Sequence, residues 1–487
     1  MDIEKILIIG SILLFVSVGS SKLSSRLGIP TLLFFLLIGT ILGQYDIGLS
    51  ANQYADIAQS LGIITLVLVL FSGGLETDFQ HIRPILRSGI LLSTLGALIT
   101  ALIVGVFLSW STKGTLNLSL TESLLIGAIV ASTDAAAVFS ILRARNIKLK
   151  ANLGELLELE SGSNDVMVFF LMTIFLHALK YQQSSFLHVL PIFLQEMIIG
   201  FSGGLFMGYM MVYVINKINL SYPALYPALT LSLLLMTYTF TNTLHGSGFL
   251  AIYISGMILG NHDILHKKSL IQFYKGIGWL MQIVMFIALG LLAVPGELKR
   301  IIPLGIKLSI VLMLIARPLS VFLALVRSQF TAKHKVFVSW IGLRGAVPIV
   351  FATYLHGLKN DAVLFHLVFF VVIVSVLLQG TTLYPMAKWL KLENRVVTAR
   401  KEKQIQQRSD VIKKMLIQLE VPTESQAHDK AIVELGLPQS VHIAVIHRAK
   451  QYLQPRGDTK IHMGDSLVVM LDTKKDLKEL KVCLGIR

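Results

Sequence analysis

Apolar stretches long enough to cross a bilayer recur along residues 3–389, and they leave such a chain one class of fold. A spanning helix needs about 20 mostly apolar residues. Thirteen stretches meet or approach that length: 3–20, 30–43, 58–76, 85–109, 122–142, 154–179, 188–215, 222–243, 247–261, 270–294, 301–327, 335–356 and 362–389. Residues are 54% hydrophobic and only 15% charged, where a soluble domain carries roughly 25% charge. In a bilayer core every backbone polar group must find a partner inside the protein. The expected fold is therefore an all-α polytopic membrane protein of 13 transmembrane helices in contact with lipid. The apolar run from Ile6 to Val18 lacks a small-residue cleavage site and reads as the first span.

The net charge of +15 raises the question of nucleic acid, but the basic residues are spread over short loops and a tail, with no single patch. One set of alternate loops holds Lys22, Arg26, Arg83, Arg87, Arg143, Arg145, Lys148 and Lys150, with further basic residues to Lys335. The other set holds only Lys113, Lys180, Lys299, Arg300 and Lys359. By the positive-inside rule the rich set is cytoplasmic, which puts the N-terminus outside and the polar tail in the cytoplasm. The expected location is the cell membrane, multi-pass. The single cysteine, Cys483, excludes an internal disulfide.

Within these apolar stretches stand acids. Asp134 lies in Ala131-Ser132-Thr133-Asp134-Ala135, and Asp165 follows Glu160-Ser161-Gly162-Ser163-Asn164. An ionised side chain at mid-bilayer costs at least about 2.5–3.5 kcal/mol, so such residues persist where they bind something. A carboxylate holds a proton or a monovalent cation but not both at once, and that competition is an exchange mechanism. A hard cation takes several oxygens, which the Thr133 hydroxyl, Asp134 and an unwound backbone can supply. Ser161 adds another. Glu160 is a third intramembrane acid and needs a partner, for which Arg317 and Arg344 are the available cations. Glu76 closes Phe71-Ser72-Gly73-Gly74-Leu75 at the cytoplasmic end of its span and is placed at an inward vestibule. No P-loop, zinc spacing or nucleophile constellation is present, which argues against an ATP-driven pump or an enzyme.

Spans one to six and eight to thirteen can be read as two inverted six-helix repeats. The fifth carries Ser132-Thr133-Asp134, and its counterpart, the twelfth, carries Gly342-Leu343-Arg344-Gly345-Ala346-Val347-Pro348. Each is a weak helix segment with a polar centre, so two broken, unwound helices are expected. Residues 1–390 form the transmembrane domain, 391–410 a charged linker, and 411–487 a small α/β cytosolic domain. Its strands are expected at 415–421, 441–446 and 466–471, with a last helix from Asp472 to about Leu484.

Thr133-Asp134, Glu160-Ser161-Gly162-Ser163-Asn164-Asp165 and Gly342-Leu343-Arg344-Gly345-Ala346 together resemble the signatures of monovalent cation/proton antiporters of the NhaP-type branch. The resemblance covers residues 1–390. It implies a homodimer whose core, holding unwound crossing helices, moves like an elevator, with Asp165, Asp134, Thr133 and Ser161 binding the cation or proton. It further implies that Asn164 braces the site through Arg317 and that Glu160 pairs with Arg344. An Asn-Asp pair resembles the electroneutral members, which exchange one cation per proton; the proline usual after it is Val166 here.

The tail, through Ala431–Pro438, Pro455–Thr459 and Gly464-Asp465, resembles an RCK C-terminal (TrkA-C-like) domain. That implies regulation of potassium transport, as in the NhaP2-like group, and favours K⁺ over Na⁺. No GxGxxG follows a strand, so no NAD site and no cofactor is expected. Related domains bind cyclic di-AMP between two copies. The alternative reading is a tail-gated K⁺ channel-like conductance, but the chain has no selectivity-filter motif.

Overall fold

The structure is a computed structural model. It describes residues 31–43, 51–145, 147–181, 186–358, 360–395, 416–422, 427–437, 441–448 and 451–471, with isolated positions elsewhere. The chain divides into two compact units, Met1–Arg395 and Val396–Arg487.

The first unit is helical: α1 (Thr31–Leu42), α2 (Ala51–Glu76), α3 (Phe79–Ser111), α4 (Leu120–Ile129), α5 (Ala135–Ala144), α6 (Leu153–Tyr181), α7 (Phe186–Lys217), α8 (Leu225–Thr243), α9 (Gly248–Asn261), α10 (Lys267–Leu291), α11 (Pro295–Ala324), α12 (Ala332–Trp340), α13 (Val347–Ala352) and α14 (Asp361–Trp389). Among the described residues, seven helices are long and apolar enough to cross a membrane, and α1, α4 and α9 are shorter apolar helices. The span at residues 3–20 lies outside the described residues apart from isolated helical positions.

Two helices are interrupted. α4 starts on a capping box, Ser119 with Glu122, and stops at Ile129. The chain runs unwound through 130–134 before α5 begins. α12 stops at Trp340, and Gly342 and Gly345 carry an unwound stretch to Pro348 in the first turn of α13. Glycine is among the poorest helix formers, and proline is favoured in the first turn of a helix. The weak segments read from the sequence are thus the places where the helices break.

Among the described residues, two other helices are locally underwound. α3 contains a π-turn at Leu92–Gly96 and α11 one at Leu312–Ala316. Thr100 and Ser320, each four residues past its π-turn, meet across the two helices at 3.0 Å. The second π-turn ends directly before Arg317. Small residues set the spacing elsewhere: a Cβ at Gly204 of α7 would strike the backbone of Ala251 in α9, as one at Gly127 of α4 would strike Ala101 in α3.

The sequence reading of 391–410 as a linker is corrected over its first residues. β2 (Glu393–Arg395) pairs antiparallel with β1 (Ile147–Leu149), the connector between α5 and α6. Lys150 N donates to Leu392 O at 3.1 Å and extends the ladder. Hydropathy falls at Leu390, but backbone pairing with a distant loop keeps the chain attached until 395. Residues 396–415 lie outside the described residues.

The second unit contains a four-stranded antiparallel sheet of β3 (Leu416–Glu420), β4 (Val441–Arg448), β5 (Gln451–Leu453) and β6 (Ser466–Leu471), in the order β3-β6-β4-β5. The register shifts between Ile443 and Val445, a bulge in β4. Ile446, Ile461, Leu467, Val469, Leu480 and Leu484 fill its core. Of the expected last helix, only 476, 480, 483 and 484 are described. Burial opposes the charge of Asp465, but two hydrogen bonds from Arg448 (2.8 and 2.7 Å) and one from His462 N (2.8 Å) hold its carboxyl below its ordinary range.

Candidate functional site

α6 lays three polar residues, Ser161, Asn164 and Asp165, against the first break. Ser161 Oγ donates to Thr133 O (2.9 Å) and accepts from Ala135 N (3.1 Å), so one hydroxyl satisfies backbone groups on either side of Asp134. Asn164 Nδ2 donates to Thr133 Oγ1 at 2.7 Å. Ser132 Oγ donates to Asp165 Oδ1 at 2.5 Å. A broken helix exposes backbone N–H and C=O groups that must find partners, and here α6 supplies them.

The second break meets the first head on. Asp134 N donates to Leu343 O at 2.8 Å, while Asp134 Oδ1 caps α5 by accepting from Ala137 N at 3.1 Å. Arg344 Nη1 donates to Ala131 O (2.9 Å) and Ser132 O (2.7 Å). Arg344 is held in turn from α14: its N–H donates to Ser375 Oγ at 3.0 Å, and Gln379 Nε2 donates to Trp340 O at 2.8 Å. A Cβ at Gly345 would land on the Asp134 carboxylate, and one at Gly342 on Arg317 Nε. Both glycines are needed for close approach.

The ion pairs differ from those implied by the sequence. Glu160 pairs with Arg317, not Arg344; both side chains are buried, at 1% and 2% exposure. The reason is geometric. Glu160 leaves α6 on the side of α11, where Arg317 follows the π-turn, whereas Arg344 directs its Nη1 to two carbonyls of the first break. Asn164 correspondingly braces Thr133 rather than contacting Arg317. The crossing therefore gathers three acids, Asp134, Glu160 and Asp165, and two arginines.

A cavity of about 720 Å³ opens onto the first break, lined by Thr133, Asp134, Ser161 and Asp165. Glu76 and Lys275 also line it and form an ion pair at 3.0 Å. The structure thus brings Asp165, Asp134, Thr133 and Ser161 to one wall, with Glu76 on the same cavity. Glu160 and Arg344 do not line it. Three contributors carry weaker signals. Ser132 stands in the polar run Ser132-Thr133-Asp134 but is not singled out by residue type. Ser375 and Gln379 are buried polar residues in the largely apolar α14, a pattern that marks a partnered interior position.

Two family descriptions match the chain: "Sodium/hydrogen exchanger, transmembrane" over residues 11–389 and the TrkA-C domain over 416–480. The chain is 36% identical over 475 residues to the K(+)/H(+) antiporter NhaP of Alkalimonas amylolytica, covering 96% of this chain and 80% of that protein. It is 35% identical over 487 residues to the K(+)/H(+) antiporter NhaP2 of Shewanella baltica, covering 98% and 83%. In fold it is similar to the sodium proton antiporter MjNhaP1 of Methanocaldococcus jannaschii, with a TM-score of 0.69 over 80% of this chain and 99% of that one, at 23% identity.

Proposed function

Because the chain belongs to the sodium/hydrogen exchanger family, we propose that it is an electroneutral antiporter. It exchanges one K⁺, or less readily one Na⁺, for one H⁺ across the cell membrane. The observation that carries this reading is the charge count at the crossing. Asp134, Glu160 and Asp165 face Arg317 and Arg344, which leaves one negative charge without a fixed partner. One proton or one monovalent cation neutralises it. Leaving it bare in an apolar bundle is costly, so the empty, ionised site is disfavoured.

In this mechanism Asp165 carries the exchanged charge. A cation arriving through the cavity meets Asp165 and Asp134, with the Thr133 and Ser161 oxygens beside them. Proton arrival removes the charge that holds the cation. Asn164 orients the Thr133 hydroxyl, and the Glu160–Arg317 pair and Arg344 keep the breaks together. Glu76, tied to Lys275, faces the inward vestibule. K⁺ is favoured because the relatives at 35–36% identity are named K(+)/H(+) antiporters.

The architecture belongs to the same proposal. Thirteen spans in two inverted repeats are supported by the paired breaks and the paired π-turns, whose equivalent residues Thr100 and Ser320 touch. The N-terminus lies outside and the tail in the cytoplasm. Two copies associate, and the core moves as an elevator. The TrkA-C domain regulates the exchange, with a cyclic dinucleotide between two copies as the ligand class to test.

The experiment is full-length protein in proteoliposomes loaded with a pH dye. Addition of K⁺ changes the internal pH, Asp165→Asn abolishes the change, and no electrical potential drives it. An unaltered response in Asp165→Asn, or a K⁺ current without proton movement, overturns the proposal. Repeating the assay with Na⁺ and Li⁺, with and without residues 405–487 and with cyclic di-AMP, tests selectivity and the tail.

A further inference from the structure

Ser132 stands in a different relation to Asp165 from the other site residues. Thr133, Asp134, Ser161 and Asp165 all line the cavity; Ser132 does not. It is buried, at 1% exposure, and reaches the carboxylate from behind. Among the described residues, the Asp165 carboxylate accepts one side-chain hydrogen bond, the 2.5 Å contact from Ser132 Oγ. The backbone of Ser132 is itself fixed, because its carbonyl accepts from Arg344 Nη1 at 2.7 Å. Arg344 is anchored to Ser375 of α14.

We propose that Ser132 is a positioning residue that sets the balance between proton and cation on Asp165 without ever touching the cation. It also makes that balance depend on the second break through Arg344. The inference rests on Asp165 being the exchanging group. A hydroxyl both donates and accepts. Toward the ionised carboxylate it donates, and a hydrogen bond to a charged group is stronger than one between neutral groups. Toward the protonated acid it accepts, or donates to a neutral oxygen, for a smaller gain. The contact survives in both states but favours the ionised one. Because Oδ1 is occupied from behind, the cation approaches from the cavity side, where Asp134, Thr133 and Ser161 complete its surroundings.

The other charges facing Asp165 are unchanged when this hydroxyl is removed. On α6 they are Glu155 and Glu158, which line the cavity with Asp165, and Glu160, held by Arg317 of α11. On the breaks they are Asp134 and Arg344. Across the cavity stand the Glu76–Lys275 pair of α2 and α10 and the phenols of Tyr253 on α9 and Tyr274 on α10.

The test uses the full chain in proteoliposomes, with exchange measured against pH and cation concentration for Ser132→Ala, Ser132→Thr and Ser132→Cys. Ser132→Ala moves the half-maximal pH of exchange upward by about one unit, the difference between a charge-assisted and a neutral hydrogen bond. On the alkaline side, where protons no longer compete, its KM for K⁺ stays within about twofold of wild type, as expected for a residue that is not a ligand. Ser132→Thr restores the wild-type profile. If the alanine variant fails to insert, Ser132→Cys, a weaker donor, shows a smaller shift in the same direction. A profile coincident with wild type in the alanine or cysteine variant overturns the inference. So does a rise in alkaline KM without a profile shift, which makes Ser132 a ligand. Failure of the underlying reading looks different: the wild-type protein itself then shows no cation-driven proton movement.

Discussion

The two helix breaks are built from the same device and do opposite work. The first, at 130–134, presents acid and hydroxyl groups to a cavity. The second, at 341–346, presents a guanidinium to the backbone of the first, Gly345 to its Asp134 side chain and Gly342 to Arg317 of α11. Neither is stable alone. The first break's carbonyls at Ala131 and Ser132 are satisfied by Arg344, and the second break's Leu343 carbonyl is satisfied by Asp134 N. An ion site in an apolar bundle thus needs a second interrupted helix to hold the first one open.

The largest expected effect falls on the acid-bearing break: Asp134→Asn, like Asp165→Asn, reduces exchange to background in a dye-quench assay while the protein still inserts. If Asp134→Asn retains wild-type exchange, its role is confined to capping α5. Next comes the ion pair that braces α6. Glu160→Gln leaves Arg317 buried and bare, and costs about 3–5 kcal/mol of stability. Thermal unfolding in detergent reads that loss, and Glu160→Met combined with Arg317→Met recovers most of it. Gly345→Ala drives a methyl group into the Asp134 carboxylate, while Gly342→Ala meets Arg317; overpacking of this kind costs about 1–3 kcal/mol. The comparison of the breaks predicts that exchange falls further for Gly345→Ala, and equal losses at equal stability would break it.

Ser375→Ala removes one support of the second break and costs about 1 kcal/mol, read as a small fall in melting temperature with exchange retained. The smallest effect lies outside both breaks. The Asp465 carboxyl sits below its ordinary range, so its contribution is present at neutral pH and is lost as pH falls through its lowered folded value. Asp465→Asn flattens the acid dependence of tail unfolding, followed by tail-specific proteolysis of the full chain, and leaves exchange at neutral pH unaltered.

Much of this was legible in the sequence, for identifiable reasons. Long apolar runs mark helices because a bilayer allows little else, and Gly342, Gly345 and Pro348 mark a break because each is a poor interior helix residue. The acids were legible because charge in an apolar run is costly. The choice of partner for Glu160 was not, since two buried arginines are equivalent until the side of α6 that each one meets is known. Ser132 was hidden by its commonness. The attachment of 393–395 was hidden because a three-residue ladder to a loop more than 240 residues earlier leaves no local pattern.

That ladder makes the exit from the helical unit a two-anchor attachment. Tension on the chain at residue 396 divides: part runs along the backbone into the end of α14, and part crosses to the connector at Ile147–Leu149. The first path ends on the helix whose Ser375 steadies Arg344. The second ends between the helix that Asp134 caps and the helix that bears Asp165. Both load paths therefore enter helices that reach the crossing, so a force applied beyond Arg395 loads the elements that carry the site.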